Sequence, residues 1–282
     1  MKPFFERFCP RAAAAGRPAL MGIVNVTPDS FSDGGRHCSP NAAALWAARL
    51  LEDGADILDV GAESTRPGFS PVEAEEERRR LVPALRAIRA AFPDVAISVD
   101  TRKASVAADA LAAGADIVND VSSLEDPDMA AVVRRAGCGL VLMNGWREHV
   151  GARQRAAAPG SLGRWVARGL FEAREAALVA GVAVDVLCLD PGFGFGLRGA
   201  DNAEVLRFLP TIVREAGNLP VLVGPSRKHF LAAMYPEAHG DSDRATALFC
   251  AAAVAAGARI LRVHAPAASI QALAQNDAPP RV

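Results

Sequence analysis

The chain has 282 residues, room for two ordinary domains or one large α/β barrel. Hydrophobic residues make up 51% and charged residues 22%, a globular balance, and 31 Lys plus Arg against 32 Asp plus Glu leave a net charge of -1. With aromatics at 6% and a single Tyr, this removes both the basic footprint and the base-stacking platforms of a nucleic-acid binder.

Residues 1–18 read as an N-terminal extension; charges and prolines interrupt its apolar runs, which makes a poor secretory leader. A first strand follows at 19–25 (ALMGIVN), then a long Asp-, Ser- and Gly-rich connection. From there a phrase recurs: a helix ends at a glycine and a short apolar strand follows. It begins at Gly54 (GADILDVG), Gly114 (GADIVNDV), Gly137 (GCGLVLMN), Gly181 (GVAVDVLCLD), Gly217 (GNLPVLVG) and Gly257 (GARILRVH). Glycine suits the left-handed residue that closes a helix. Near-continuous apolar strands fit a parallel sheet buried on both faces. One more strand, 95–100 (VAISVD), lacks the phrase. Helix starts are marked at Ser39-Pro40, at the Ser70 to Glu73 capping box and at Asp126-Pro127. Eight strands alternating with helices over this length favour one (β/α)8 barrel, residues 19–282, over an open doubly wound sheet.

Cys9, Cys38, Cys138, Cys188 and Cys250 are scattered and form no C-x-x-C, so reduced thiols in a cytoplasmic protein are expected, without disulfides or structural zinc. The most apolar stretch, 245–256, is too short to span a bilayer.

Polar residues gather at the strand ends: Asn25, Asp59, Asp100, Asn119-Asp120, Asn144, Asp190 and His264. Any one could be a helix cap, but together they mark the C-terminal mouth, where barrel enzymes keep their chemistry. Asp100 and Asp190 follow apolar runs and need partners, which paired N–H donors or a cationic heterocycle would supply. Arg66, Arg227, Lys228, Arg262 and His264 fall just after strands or near their ends, implying an anionic ligand such as a phosphate or diphosphate. Long β1 and β2 loops are expected to lie over the mouth. Lys228 sits in a polar turn, which favours hydrogen bonding over Schiff-base chemistry. The G-x-G-x-x-G at 194–199 does not directly follow its strand, so it reads as a loop allowing close backbone approach, not as a dinucleotide fingerprint.

The string MGIVNVTPDSFSDGG at 21–35 resembles the signature of the dihydropteroate synthase family. The resemblance continues in order through ILDVGAESTRPG (57–68), ISVDTRK (97–103), IVNDV (117–121), LDPGFGFG (189–196), VLVGPSRKHF (221–230) and RVHA (262–265). It implies a (β/α)8 barrel that condenses 7,8-dihydropterin-6-ylmethyl diphosphate with p-aminobenzoate, assisted by Mg2+, in a homodimer. Carried over by motif, Asp100, Asn119, Met143, Asp190, Phe195 and Lys228 would bind the pterin. Asn25, Arg66, Arg262 and His264 would hold diphosphate, with Asn25 also meeting the metal. Thr65, Pro67, Ser226 and Arg227 would border p-aminobenzoate, and Phe69 would help exclude water. Asp100, Asp190, Lys228, Arg262 and His264 would carry the catalysis.

The chain departs from the family pattern at Ala62, Asn144, Leu197, His229 and Ala265. A pterin-binding methyltransferase or a non-catalytic pterin-binding paralogue are the alternative readings. Arg66, Lys228, Arg262 and His264 favour the synthase, because a plain binder gains little from a diphosphate ring.

Overall fold

Eight parallel strands form one sheet: β1 Ala19–Asn25, β2 Ile57–Gly61, β3 Ala96–Asp100, β4 Ile117–Asp120, β5 Gly139–Met143, β6 Leu187–Asp190, β7 Leu222–Val223 and β8 Ile260–Val263. The computed structural model describes residues 2–27, 39–63, 72–144, 160–197 and 199–275. The strand order is β6-β5-β4-β3-β2-β1-β8-β7. The two ends of that order meet where Leu189 pairs with Val221 and the Leu189 N–H donates to Pro220 O at 3.0 Å, so the sheet curls into a nearly closed barrel.

Side chains alternate across each strand. Leu20, Leu58, Val60, Ile97, Val99, Val118, Leu140 and Leu261 face outward and bury against the surrounding helices. Met21, Ile57, Ile117, Val141, Cys188, Leu222 and Ile260 face the barrel interior. This second apolar layer explains why the strands read as continuous hydrophobic runs. All six glycines of the recurring phrase have positive φ, from 59° at Gly137 to 110° at Gly114, so helix closure there requires a residue without a Cβ.

The segment before β1, for which the sequence offers no role, closes the N-terminal end of the barrel. Helices α1 (Phe4–Phe8) and α2 (Pro10–Ala14) bury Phe4, Phe5, Phe8, Cys9 and Ala12 in one cluster with the lower interior residues. Gly139 makes room for them: a Cβ there would stand 2.8 Å from the Phe8 ring and 2.9 Å from the Phe4 ring. Arg17 ties the segment to the barrel through two 2.8 Å bonds to the Asp56 carboxylate, which also accepts the Leu20 N–H.

Helix starts agree in part with expectation. Helix α3 (Pro40–Glu52) begins as predicted, with Ser39 Oγ accepting from Ala42 N at 3.1 Å. Helix α4 (Ala74–Ala91) starts after Glu73 without a side-chain cap; Ser70 and Pro71 lie outside the described residues. Helix α6 (Met129–Ala136) starts past the Asp126-Pro127 pair, and Asp126 serves two starts: its Oδ1 accepts the Asp128 N–H at 3.0 Å in the turn leading into α6, and its Oδ2 accepts the Ala104 N–H at 2.8 Å at the start of α5 (Ala104–Ala112). The outer ring continues with α7 (Leu162–Val179), α8 (Ala200–Ala216), α9 (Phe230–Met234), α10 (Ser242–Ala255) and α11 (Pro266–Ala274). No helix among the described residues is long and apolar enough to cross a membrane.

Candidate active site

Inward-pointing residues near the upper ends of the strands are polar where the lower ones are apolar. Asn25, Asp100, Met143 and Asp190 close β1, β3, β5 and β6. Asp59, Asn119 and Arg262 each stand third in their strands, and His264 follows β8 directly. The barrel converges these residues although they lie up to 239 positions apart in sequence (264 minus 25).

Arg262 organises the centre. Its Nε donates to Asp59 Oδ2 at 2.6 Å and its Nη2 to Asp100 Oδ2 at 2.7 Å. Burial opposes the guanidinium charge, but Asp59 and Asp100 outweigh burial and hold its pKa above the usual range. Burial drives the Asp100 carboxyl up to about 7; Arg262 pulls it down, while Asp59, Glu77 and Glu63 push it further up. Burial likewise raises Asp190 to about 6 against the Gly192 N–H, which donates to its Oδ1 at 2.8 Å, and against the nearby charges of Lys228 and Arg262. Lys228 is pulled down to about 7 by burial and by Arg262, with Asp190 and Asp100 opposing. Burial and mutual charge thus hold Asp100, Asp190 and Lys228 away from their ordinary values, a combination common where a protein binds a ligand.

The DPGFGFG loop supports Lys228. The ammonium donates to the Phe193 carbonyl and stands 3.9 Å from the centre of the Phe195 ring. A Cβ at Gly192 would lie 1.8 Å from the Asn144 carbonyl oxygen, and one at Gly194 would lie 2.5 Å from Lys228 Cδ. These two glycines therefore admit the protein's own atoms, a tighter demand than ligand approach alone. Phe193 points away into the core against Phe249, ring centres 4.8 Å apart.

Ser226 Oγ lies 2.8 Å from His264 Nδ1 and accepts the His264 backbone N–H at 3.1 Å. The expected p-aminobenzoate and diphosphate residues are thus joined by hydrogen bonds. Arg227 differs from the expected cationic ring. It has φ of 57°, its backbone N–H donates to Thr246 Oγ1, and its exposed side chain makes a bidentate pair with Asp243 at 2.7 and 2.8 Å. Nor does Arg262 present a bare charge, since two carboxylates face it. Thr65, Arg66, Pro67 and Phe69 lie outside the described residues.

Asp59 is the residue sequence reasoning undervalued. In the sequence it is one polar strand-end residue among several; the structure makes it fully buried and pairs it with Arg262. The available signal was period two: a carboxylate two residues before Gly61 shares the inward face of β2. A second group was missed altogether. Glu63 accepts from Lys103 Nζ at 3.0 Å and from Val72 N at 2.9 Å, and Lys103 also reaches the buried Glu77 at 2.5 Å.

Among the described residues no three His, Cys, Asp or Glu side chains cluster as a metal cage. Asn25, partly exposed at the end of β1, offers one neutral oxygen. That suits a Mg2+ ion held by one protein oxygen, substrate phosphates and water. Of the departures from the family pattern, Ala62 and Leu197 are buried apolar residues, Asn144 is buried beside Gly169, and His229 is exposed.

A family model described as pterin binding enzyme matches residues 21–264. The dihydropteroate synthase of Streptococcus pyogenes is 40% identical over 252 residues, covering 88% of this chain and 91% of that protein. The solved structure of Xanthomonas albilineans dihydropteroate synthase in complex with 7,8-dihydropteroate matches with a TM-score of 0.78 and 38% identity, covering 92% of each chain. That of the Yersinia pestis synthase with a sulfonamide drug matches with a TM-score of 0.81 and 36% identity, covering 93% of this chain and 94% of that one. A barrel mouth lined by two buried carboxylates and their cations, with these matches along almost its whole length, means that the chain belongs to the pterin-binding enzyme family, among the dihydropteroate synthases.

Proposed function

We infer that the protein makes 7,8-dihydropteroate for folate biosynthesis, from 7,8-dihydropterin-6-ylmethyl diphosphate and p-aminobenzoate. The observation that carries the reading is the pair of buried carboxylates, Asp100 and Asp190, facing Arg262 and Lys228 at the barrel mouth. In the reaction the C–O bond to diphosphate breaks, a C–N bond to the aniline nitrogen forms, and that nitrogen loses a proton.

Asp100, Asp190 and the Asn119 amide oxygen are assigned to the donor edge of the pterin. A carboxylate accepting parallel N–H bonds there also stabilises positive charge as diphosphate departs. Lys228 donates to the pterin carbonyl or a ring nitrogen, with Met143 and Phe195 packing beside the ring. Arg262, His264, Asn25 and Arg66 hold the leaving diphosphate, so these contacts strengthen as charge develops on it. Mg2+, met by Asn25, would supply further charge neutralisation on the diphosphate. Thr65, Pro67, Ser226 and Arg227 border p-aminobenzoate, and sulfonamides are expected to compete there.

A homodimer in the cytoplasm completes the reading. Four cysteines are buried free thiols, which suits a reducing compartment, and sedimentation velocity measures the oligomeric state. The decisive assay mixes purified protein with the pterin diphosphate, p-aminobenzoate and Mg2+ and follows diphosphate release. No turnover where a control synthase works sinks the proposal.

A further inference from the structure

Asp59 touches no substrate in the scheme above, yet it is fully buried beneath the site. It pairs in register with Ser98, while Gly61 pairs with Asp100. Asp59 therefore lies two residues further from the mouth along its strand than the position level with Asp100. Its Oδ2 accepts from Arg262 Nε at 2.6 Å and faces Asn119 Nδ2 at 3.4 Å.

The guanidinium of Arg262 thus spans two carboxylates, one deep and one at the mouth. Its Nη2–H occupies Asp100 Oδ2, an acceptor that the N–H edge of a pterin requires. The carboxylate keeps further acceptor sites, so a bound pterin must share Asp100 with the guanidinium, and the firmness of Arg262's other anchor sets how much of Asp100 is left for it. A long cationic side chain released from its only partner would lose its direction; one still held at Nε keeps its fork aimed upward. The deep carboxylate also orients Asn119. With Nδ2 turned to Asp59, the Oδ1 of Asn119, buried and without a hydrogen-bond partner among the described residues, remains an acceptor.

We propose that Asp59 is a positioning residue: it keeps Arg262 directed at the diphosphate while Asp100 is shared between Arg262 and the pterin, and it holds the Asn119 amide in its accepting orientation. This rests on the pterin-binding reading given above.

Asp59→Asn preserves shape and removes the charge, leaving Asp100 as the anion bonded to Arg262. The amide oxygen still accepts from Arg262 Nε but holds it more weakly than a carboxylate, so the guanidinium leans on Asp100 and competes harder with the pterin for it. The dissociation constant for 6-hydroxymethyl-7,8-dihydropterin, which carries no diphosphate, is expected to rise about tenfold. KM for the pterin diphosphate should rise by a similar factor, while KM for p-aminobenzoate stays within about twofold. A folded variant with unchanged pterin affinity, or with both KM values raised equally, overturns the proposal.

Should Asp59→Asn fail to fold, the wild-type chain still decides. The 15N Nε–H resonance of Arg262, assigned by its loss in Arg262→Lys, should persist unshifted when the diphosphate-free pterin saturates the site. Loss of that signal or a large shift refutes a fixed Asp59 anchor. Wild-type turnover with a silent Asp59→Asn rejects this inference alone, whereas absence of pterin binding by the wild-type chain rejects it together with the proposed function.

Discussion

The two ends of the barrel are built on opposite principles. At the closed end, three phenylalanines from the N-terminal segment sit against apolar strand residues, and the neighbouring charges are matched: Arg17 with Asp56 at 2.8 Å and Arg89 with Asp116 at 2.5 Å. At the mouth, carboxylates are buried, and Asn119 Oδ1 and the deeper Asp59 Oδ1 have no hydrogen-bond partner among the described residues. Each such group costs about 1–3 kcal/mol when nothing satisfies it. The closed end supplies packing stability that offsets the cost of burying the Asp59, Asp100 and Arg262 charges and the open Asn119 acceptor at the mouth.

The comparison is open to direct attack, most strongly at the closed end. Phe4→Ala should destabilise the fold by about 3–5 kcal/mol, read in a denaturant titration, while kcat/KM of the folded protein stays within twofold. A matching loss of kcat/KM would show that the two ends are coupled.

At the mouth, Asp190→Asn should behave oppositely. Loss of a charged acceptor is expected to lower kcat/KM about 100-fold, ~2.7 kcal/mol. Stability should not fall with it. The folded Asp190 carboxyl is raised to about 6, so its stabilising contribution is complete below the ordinary value near 3.8 and is lost as pH rises through about 6. At pH 8 the neutral variant should therefore melt no lower than the wild type, and higher if burial of the charge dominates; a clearly lower melting temperature would contradict that cost.

A pH titration is the next smaller effect. Asp100, raised to about 7, accepts from the pterin when ionised, and Lys228, lowered to about 7, donates best when protonated, so affinity for the diphosphate-free pterin should peak near pH 7 and fall about threefold by pH 6 and by pH 8. An acid limb that does not fall in isothermal titration calorimetry would remove Asp100 from the donor edge. Smallest for function, Ser39→Ala deletes the cap of α3, away from both ends. It should cost about 1 kcal/mol of stability and leave kinetics unchanged.

Much of the barrel was legible because its signals are local. Each helix-ending glycine and each apolar strand is a short-range requirement of backbone conformation and two-sided burial, and all six predicted glycines take positive φ. Asp100, Asp190, Lys228 and Arg262 were legible as residues at strand ends, and the family motifs assign them substrates. What could not be read was pairing. Arg262 and Asp59 are 203 positions apart, and nothing along the chain says that one carboxylate will lie under the other's guanidinium. Arg227 and Lys228 are adjacent in sequence, yet one turns out to Asp243 and the other in over Phe195. The N-terminal phenylalanines likewise read as a tail until the barrel supplies the floor they fill.

By itself, then, the sequence determined the succession of strands and helices, the end of the barrel that carries polar residues, and the family chemistry. Only the tertiary structure decided which charges neutralise each other, which acceptors stay open and what seals the other end. The physical reason is that backbone conformation is set by neighbours in the chain, whereas the energy of a buried charge is set by neighbours in space.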